Sequence, residues 1–163
     1  MFETSKEINE IDVALVCNPG GHLQSMRFLR DAYADYEYAF LTHKSVTTSD
    51  LYQAMYFPKI DHKYRFGLTA LLQYLIVFLQ TIYIIIQYSP SVFISTGGYL
   101  AAPTLIAAKL LGKHVIFVEN ISRKTSKSLS GRIIYVFADR FFVQHEELCE
   151  LYGQKAEYMG PII

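Results

Sequence analysis

The chain has 163 residues, 52% of them hydrophobic and none of them tryptophan, which is long enough to bury the core of one domain. Its 15 basic and 15 acidic residues cancel, so its net charge does not favour nucleic acid, and no nucleic-acid partner is predicted. Its two cysteines form neither a disulfide framework nor a metal-ligand pattern, and the polar, acidic start over 1–12 is unlike a secretory signal peptide. We therefore predict no structural metal and no cofactor.

Short apolar runs alternate with segments of helical periodicity along the whole chain. After a flexible lead-in over 1–11, strands are predicted over 12–17, 36–42, 54–57, 92–95, 114–119, 140–143 and 156–159. Between them, helices are predicted over 22–33, 66–88, 100–111, 129–138 and 146–152. This alternation predicts one Rossmann-like domain over 1–163, an α/β fold with a doubly wound parallel sheet and helices on both faces.

Two Gly-Gly loops follow predicted strands. Their residues are Gly20, Gly21 and His22 in the first loop, and Gly97, Gly98 and Tyr99 in the second. Glycine allows sharp turns and close approach of a ligand, and the start of the helix after the first loop favours an anion. In a doubly wound sheet, the strand that begins the second half lies beside the first strand, and ligands bind at their carboxyl ends. We expect the two loops to face each other across one crevice.

The predicted crevice contains two candidate catalytic residues, His22 and Glu119. A neutral His22 can exchange hydrogen bonds with a sugar hydroxyl or a phosphate, or it can be a capping and packing residue. Glu119 follows an apolar strand and can act as a base or hydroxyl acceptor, or as an orienting carboxylate bonded to a nearby loop N–H. Tyr99 and Asn120 are candidates to contact an acceptor at the same rim.

A cluster of cations without acids follows this rim. Its members, between Asn120 and Arg132, are Arg123, Lys124, Lys127 and Arg132. Such a cluster can bind a diphosphate or acidic lipid headgroups, or it can be an ordinary solvated face.

The segment 66–88 carries no charge and has the length of a membrane span. However, Gln73, Gln80 and Gln87 recur every seven residues and form one polar stripe on a helix. We interpret the segment as a crossover helix packed on the sheet with an unusually apolar outer face, which is compatible with lying on a bilayer surface. A true span stays open, and the preceding Lys63 and Arg65 suit an anionic membrane.

Other nucleotide and hydrolase signatures are absent from the sequence. The first loop is neither G-x-G-x-x-G nor a Walker loop, and no acidic residue follows about 20 positions later to bind a ribose. There is also no Gly-x-Ser-x-Gly elbow. These absences count against an NAD-type oxidoreductase and a serine hydrolase.

Several short segments occur in a characteristic order within residues 12–163. They are Gly20-Gly21-His22-Leu23, Ser95-Thr96-Gly97-Gly98-Tyr99, Val118-Glu119-Asn120 and Ser128-Leu129-Ser130-Gly131-Arg132. The set resembles the membrane-anchor, acceptor-side subunits of split GT-B glycosyltransferases. In eukaryotes, this family recruits the catalytic half that adds the second N-acetylglucosamine to dolichol-diphosphate oligosaccharide. Its bacterial relatives, of the PssD type, serve capsule and exopolysaccharide assembly. The segments are also similar, more distantly, to the acceptor-binding half of MurG.

The resemblance implies that this chain is the acceptor half of a GT-B enzyme. It then binds a lipid-diphosphate-linked sugar at the cytoplasmic face of a membrane, peripherally or by a single pass. A separate donor-binding subunit holds the UDP-sugar, forms a heterodimer with this chain and supplies activity that the chain alone lacks or nearly lacks. The implied acceptor contacts are Gly20, Gly21, Gly97, Gly98, Tyr99 and Asn120, beside the candidate catalytic residues His22 and Glu119.

This sequence departs from the family pattern in two ways. Cys17-Asn18-Pro19 replaces the small Ser/Gly-rich lead-in expected before the first loop. The sequence also shows no N-terminal transmembrane helix, so we expect attachment through 66–88 and the basic loop.

Two other functions stay open. One is a self-sufficient small nucleotide-sugar-binding enzyme, which would need ribose contacts that the sequence does not display. The other is a non-catalytic interaction module of a membrane polysaccharide-assembly complex.

Overall fold

The computed structural model describes residues 3–4, 10–59 and 67–162. The strands are β1 (Glu3–Thr4), β2 (Val13–Val16), β3 (Tyr38–His43), β4 (Ala54–Phe57), β5 (Val92–Ser95), β6 (His114–Val118), β7 (Arg140–Val143) and β8 (Ala156–Tyr158). The α-helices are α1 (Gly21–Phe28), α2 (Leu68–Tyr88), α3 (Ala101–Leu110), α4 (Leu129–Phe137) and α5 (Glu147–Tyr152).

Within the described residues the strands form one eight-stranded sheet, in the order β1-β4-β3-β2-β5-β6-β7-β8. In this sheet β2 to β8 pair in parallel, whereas β1 pairs antiparallel with β4. The winding reverses between β2 and β5, which confirms the predicted doubly wound, Rossmann-like α/β fold. Val16 pairs with Ser95, and Ser95 with Phe117, so β2, β5 and β6 end side by side.

The structure differs from the expected flexible lead-in at three described residues. Glu3 and Thr4 extend the sheet by pairing with Tyr56 and Met55, because the outer edge of β4 would otherwise leave backbone groups unpaired. Ile11 is buried, and its N–H donates to the carbonyl of Tyr88 (3.2 Å). Residues 5–9 lie outside the described part of the chain.

Two local boundaries also differ from those predicted. The helix expected over 22–33 ends at Phe28 and continues as a 3-10 turn at Arg30–Ala32. In the loop expected over 43–51, a second 3-10 turn at Val46–Thr48 is capped by the Ser45 hydroxyl, which accepts a hydrogen bond from Thr47 N–H (3.1 Å). Both turns are closed by local hydrogen bonds that apolar periodicity does not reveal.

The core lies on both faces of the sheet. One cluster places residues of α2, α3, α4 and α5 against one face, with Phe93, Phe117 and Phe141 fully buried at its centre. The other cluster packs Leu23 and Met26 of α1 against the opposite face. The carboxyl ends of the strands are left for the loops that form the candidate site.

Helix α2 is the crossover from β4 to β5, and one of its faces packs into the core. Ala70, Val77, Thr81, Ile84 and Ile85 are buried along this face, and the Thr81 hydroxyl donates to the carbonyl of Val77 (2.8 Å). This packing agrees with the interpretation of the apolar segment as a helix on the sheet. Phe66, Lys63 and Arg65 lie outside the described residues.

Helix α2 is much longer than the strands that it crosses. Its 21 residues span about 31 Å, whereas the four residues of β2 or of β5 span about 13 Å. Because α2 ends at Tyr88, with only three residues between it and the start of β5 at the amino edge of the sheet, the surplus length lies toward the carboxyl edge, where α2 begins. The N-terminal half therefore lies at the same edge as the candidate site.

The outer face of α2 is a continuous apolar stripe. Its exposed residues are Leu68, Leu71, Leu72, Leu75, Ile76, Leu79, Tyr83 and Ile86. Gln73 and Gln80 are half-buried and Gln87 is exposed, so the predicted polar stripe follows the border between the packed face and the apolar face. Among the helices of the described residues, α2 alone is long and apolar enough to cross a bilayer, judged by length and composition only.

Candidate functional site

The first Gly-Gly loop turns the chain from β2 into α1. Gly20 has φ 88°, a conformation that L side chains rarely adopt, and it precedes a helix that no side chain caps. The first N–H groups of an α-helix lack carbonyl partners within the helix, so they and the helix dipole favour an anion at this point. A Cβ on Gly21 would meet no atom within 4 Å. The fold therefore leaves open space at Gly21.

The second Gly-Gly loop packs tightly on the residue that leads into the first. Gly97 and Gly98 have φ 99° and 96°, and a Cβ on Gly98 would overlap the side chain of Asn18. Asn18 is buried, and its Oδ1 accepts a hydrogen bond from Leu100 N–H (3.3 Å). Asn18 thus ties the two loops together, which gives a role to one residue of the unexpected Cys17-Asn18-Pro19 lead-in.

His22 joins the first loop to the second. Its Nδ1 lies 2.8 Å from the carbonyl oxygen of Thr96, and the Thr96 hydroxyl donates to the His22 carbonyl (2.8 Å). Because a carbonyl only accepts hydrogen bonds, Nδ1 carries the proton, and in the neutral ring Nε2 keeps its lone pair. No residue in the described ranges forms a hydrogen bond with Nε2. His22 therefore has the tautomer that a general base requires.

Asn120, in the loop after β6, lies beside the same histidine. Its Nδ2 lies 3.4 Å from the protonated His22 Nδ1, a contact between two donors and not a hydrogen bond, and its Oδ1 accepts a hydrogen bond from Ser122 N–H (2.8 Å). The latter bond orients the amide with its N–H₂ group toward His22. The carboxyl ends of β2, β5 and β6 thus bring His22, Thr96 and Asn120 into one cluster.

Tyr99 packs beside this cluster and is half-buried. Its ring stacks on His43, with centroids 5.0 Å apart and an interplanar angle of 30°. Burial, together with the nearby Tyr74 of α2, raises the pKa of Tyr99 to about 12, against the opposing hydrogen bond with Asn18. Tyr99 is therefore a neutral group at physiological pH that links the second loop to α2.

Glu119 is 1% exposed and fully engaged in hydrogen bonds. Oε1 accepts from Asn120 N–H (2.8 Å), and Oε2 accepts from Ser128 N–H (3.2 Å) and the Ser128 hydroxyl (2.8 Å). Oε2 also accepts a short hydrogen bond from the Tyr152 hydroxyl. This geometry favours the orienting carboxylate over the base, the other role that the sequence leaves open.

Gly131 sits directly on this buried network. A Cβ at this position would overlap the Tyr152 hydroxyl and Glu119 Oε2, and it would lie 2.8 Å from the Ser128 hydroxyl. Ser128 also caps α4 by accepting a hydrogen bond from Gly131 N–H (2.9 Å). The start of α4 is thereby held against the rim.

The four predicted cations are divided between the loop after β6 and the first turn of α4. Arg123, Lys124 and Arg132 are exposed, and the Lys127 ammonium lies 5.1 Å from the centre of the Tyr152 ring. Lys127 and Arg132 line a groove of about 430 Å³ with Thr125, Ser126 and Leu151. In the described part of the chain, none of the four cations forms an ion pair. The groove is therefore an electropositive surface next to the crevice.

The structure brings most of the predicted site residues to one edge of the sheet, but not all of them into one contact. His22, Gly97 and Asn120 touch or nearly touch, whereas Glu119 faces inward and the cations form a neighbouring surface. Sequence reasoning missed Thr96, Asn18 and Tyr152 as functional candidates. Thr96 lies within the segment Ser95-Thr96-Gly97-Gly98-Tyr99, and Asn18 lies two residues before Gly20. Nothing in the sequence marks Tyr152, which contacts Glu119 from 33 residues away.

Comparison with protein families matches residues 40–162 to the family described as "Oligosaccharide biosynthesis protein Alg14 like". One curated relative is the UDP-N-acetylglucosamine transferase subunit alg14 of Schizosaccharomyces pombe, 46% identical over 73 residues, or 44% of this chain. Another, from Streptococcus pyogenes serotype M12, is 34% identical over 84 residues, or 52% of this chain. This relative is named UDP-N-acetylglucosamine--N-acetylmuramyl-(pentapeptide) pyrophosphoryl-undecaprenol N-acetylglucosamine transferase. The matched stretches are 31% and 22% of these relatives, so the chain spans a third of their length or less.

Solved structures show the same fold. MurG of Acinetobacter baumannii superposes with a TM-score of 0.68 at 14% identity, covering 83% of this chain and 42% of MurG. A UDP-GlcNAc 2-epimerase of Methanocaldococcus jannaschii superposes with a TM-score of 0.67 at 9% identity, covering 91% of this chain and 45% of the epimerase. At these identities the likeness concerns the fold: this chain is similar to one half of two larger Rossmann-like proteins.

Proposed function

The chain belongs to the Alg14-like family of oligosaccharide biosynthesis proteins, and on that premise we propose that it is the acceptor-side subunit of a two-component glycosyltransferase. Its substrate is a sugar linked to a lipid through a diphosphate, and its product is a longer lipid-linked glycan. More specifically, we propose that this glycan is a precursor of a capsule or an exopolysaccharide. The observation that carries the proposal is the cluster of His22, Thr96 and Asn120 beside the open start of α1.

The start of α1 is the proposed cradle for the acceptor diphosphate. Its free N–H groups and dipole favour an anion, and the open space at Gly21 lets a phosphate approach the backbone closely. Gly20, Gly97 and Gly98 shape the walls of this cradle, and Asn120 contributes an amide at its rim.

His22 is the proposed general base. The acceptor hydroxyl oxygen forms a bond with the anomeric carbon of the donor sugar, and the bond from that carbon to the diphosphate breaks. UDP leaves with the electron pair of that bond, and the hydroxyl proton passes to His22 Nε2. The Thr96 carbonyl supports this role because it holds the proton of the neutral ring on Nδ1 (2.8 Å).

The apolar face of α2 is the proposed membrane contact, on the cytoplasmic side. Full burial of one large apolar side chain contributes about 1.5–3 kcal/mol, so eight half-exposed side chains amount to a gross gain of about 6–12 kcal/mol. Because α2 begins at the carboxyl edge, its contact with lipid brings that edge, and the cradle, toward an acceptor anchored in the bilayer. Arg123, Lys124, Lys127 and Arg132 would meet anionic groups at the same surface.

The donor sugar is assigned to a separate subunit. The described site contains no acidic residue at the spacing that holds a ribose, and one curated relative is named as a subunit of a UDP-N-acetylglucosamine transferase. The proposed partner is therefore a UDP-sugar-binding polypeptide that forms a heterodimer with this chain across the crevice. The two curated relatives carry N-acetylglucosamine transfer in their names, so UDP-N-acetylglucosamine is the first donor to test.

The test is transfer of labelled sugar from a panel of UDP-sugars onto a lipid-diphosphate-linked acceptor in isolated membranes. The membranes contain this chain alone, a candidate donor-binding polypeptide alone, or both. We expect transfer only, or at least tenfold faster, with both chains. Full transfer by this chain alone would overturn the split-enzyme proposal in favour of a self-sufficient enzyme. A complex of both chains that transfers equally well without His22 would favour an interaction module.

A further inference from the structure

We propose that Tyr152 is a positioning residue for the cationic loop, defined here as residues 121–127. Through the buried carboxylate of Glu119, it holds this loop so that Lys127 and Arg132 face a phosphate-bearing ligand. The inference deepens the proposed function, on which the identity of that ligand as the lipid-linked acceptor rests.

Glu119 ties both ends of the cationic loop to one point. Oε1 accepts from Asn120 N–H (2.8 Å) just before the loop, and Oε2 accepts from Ser128 N–H (3.2 Å) and the Ser128 hydroxyl (2.8 Å) just after it. The loop therefore begins and ends at the same carboxylate, and its two ends are less free to separate than those of an ordinary surface loop. Its geometry depends on where this carboxylate sits.

Tyr152 determines where the carboxylate sits. Its hydroxyl donates to Oε2 from α5, an element outside the loop and outside the strand β6 and the helix α4 that flank it. A buried carboxylate keeps its place only while donors surround it, because an unsatisfied buried charge is costly. Burial of the Tyr152 hydroxyl and its bond to Glu119 raise the pKa of Tyr152, so the hydroxyl remains a donor throughout the physiological range.

The same tyrosine also holds one of the cations. The Lys127 ammonium lies 5.1 Å from the centre of the Tyr152 ring, within the range of a cation–π contact. Lys127 and Arg132 line the groove of about 430 Å³ between the loop, α4 and α5, and neither forms an ion pair with a described carboxylate. Two cations that pair with no described carboxylate, with the hydroxyl groups of Thr125 and Ser126 beside them, suit a phosphate group.

The first experiment measures the order of the loop without requiring catalysis. Trypsin cleaves after Arg123, Lys124 and Lys127, so the cleavage rate reports how often the loop opens. Tyr152→Phe removes only the hydroxyl, and we expect cleavage about five-fold faster, the factor that corresponds to one lost hydrogen bond. Inorganic pyrophosphate should slow cleavage of the wild-type chain, and Tyr152→Phe should need several-fold more pyrophosphate for the same protection.

Tyr135→Phe is the matched control. The Tyr135 ring lies 5.4 Å from that of Tyr152, and its hydroxyl accepts a hydrogen bond from Lys155 N–H (3.1 Å) instead of contacting Glu119. This variant also loses one tyrosine hydroxyl near the same ring, so we expect its cleavage rate to equal that of the wild type. Urea unfolding establishes that each variant is folded. If Tyr152→Phe does not fold, Ser128→Ala removes a different donor from the same carboxylate and should show the same faster cleavage.

The second experiment uses the complex with the donor-binding subunit. A positioning role predicts that Tyr152→Phe raises the KM for the lipid-linked acceptor about five-fold and leaves kcat within two-fold of the wild type. Unchanged trypsin cleavage, an absence of pyrophosphate protection, or an unchanged acceptor KM in an active complex would each overturn this inference. Absence of transfer in every variant would overturn the proposed function alone, because the cleavage and protection measurements stand without it.

Discussion

His22 and Thr96 are joined by two hydrogen bonds, one in each direction, across 74 positions of sequence. His22 Nδ1–H donates to the Thr96 carbonyl (2.8 Å), and the Thr96 hydroxyl donates to the His22 carbonyl (2.8 Å). The pair fixes the ring orientation and, with it, which ring nitrogen keeps the lone pair. The second Gly-Gly loop thus orients the candidate base of the first loop and also forms the opposite wall of the cradle.

Replacing His22 by alanine should abolish most of the transfer by the two-subunit enzyme. We expect kcat to fall about 10²–10⁴-fold, the usual contribution of a general base, while binding of the donor subunit is unchanged. The measurements are initial rates at saturating acceptor and copurification of the two chains. Gln24→Ala, an exposed position on the same helix, is the matched control and should retain wild-type rates. A fully active His22→Ala enzyme would remove this residue from the mechanism.

Two glycine-to-alanine substitutions should distinguish a glycine that leaves room for a ligand, Gly21, from a glycine that the fold itself requires, Gly98. At Gly21, the first residue of α1, nothing lies within 4 Å of an added Cβ, and alanine favours a helix. We expect Gly21→Ala to fold with unchanged or slightly higher stability but to bind inorganic pyrophosphate and the acceptor several-fold more weakly. Calorimetric titration and urea unfolding on the same samples measure both quantities. Unchanged binding would contradict the proposed approach of phosphate to the backbone.

Gly98→Ala should have the opposite profile. Its φ of 96° is strained for alanine, and the added Cβ would overlap buried Asn18. We expect a loss of about 2 kcal/mol or more in the free energy of unfolding, read from the urea midpoint. Stability equal to that of the wild type would mean that the two loops can separate at little cost.

Charges placed on the apolar face of α2 should release the chain from membranes. We expect the double change Leu72→Glu and Leu79→Glu to reduce binding to anionic phospholipid vesicles at least tenfold, because both side chains are about half exposed on this face. Flotation of the vesicles with bound protein measures the effect.

Gln87→Glu provides the control for charge alone. Gln87 is exposed on the same helix but belongs to the polar border, so a carboxylate there should leave vesicle binding nearly unchanged. Equal loss of binding in both variants would show that net charge, and not insertion of the apolar face, controls attachment.

Asp139 lies at the amino edge of the sheet, opposite the candidate site, and should make the free energy of unfolding depend on pH. Burial opposes its ionisation, but hydrogen bonds from Lys109 and from Val115 N–H (2.8 Å), with the charges of Lys109 and His114, lower its pKa below the ordinary value. A carboxyl group whose pKa is lowered by folding stabilises the native state above its unfolded pKa. That stability is lost as the pH falls through the folded pKa. Asp139→Asn should therefore lower the free energy of unfolding by about 1 kcal/mol at pH 7.

The difference between wild type and Asp139→Asn should shrink as the pH falls below about 4, the ordinary pKa range of aspartate. Urea unfolding of both proteins at pH 7 and at acidic pH measures this convergence. A difference that stays constant with pH would assign the effect to packing and not to the charge of Asp139.

Much of the fold was predictable because its signals are local. The strands at Ala54–Phe57, Val92–Ser95 and Arg140–Val143 match the predicted ranges, since apolar runs bounded by turn residues mark buried parallel strands. The adjacency of β2 and β5 followed from the winding rule. The short strand at Glu3–Thr4 was not predictable, because it depends on an unpaired edge of β4 more than 50 residues away.

The sequence by itself determined the α/β class, the two glycine loops at one edge, the uncharged crossover helix and the cluster of cations after Asn120. Periodicity, glycine conformation and charge are properties of neighbouring residues. Only the tertiary structure decided that Glu119 points inward to Tyr152, that His22 is oriented by Thr96, and which face of α2 packs into the core. These outcomes depend on hydrogen bonds and burial between segments 33 to 74 positions apart, which the register of the parallel strands brings together.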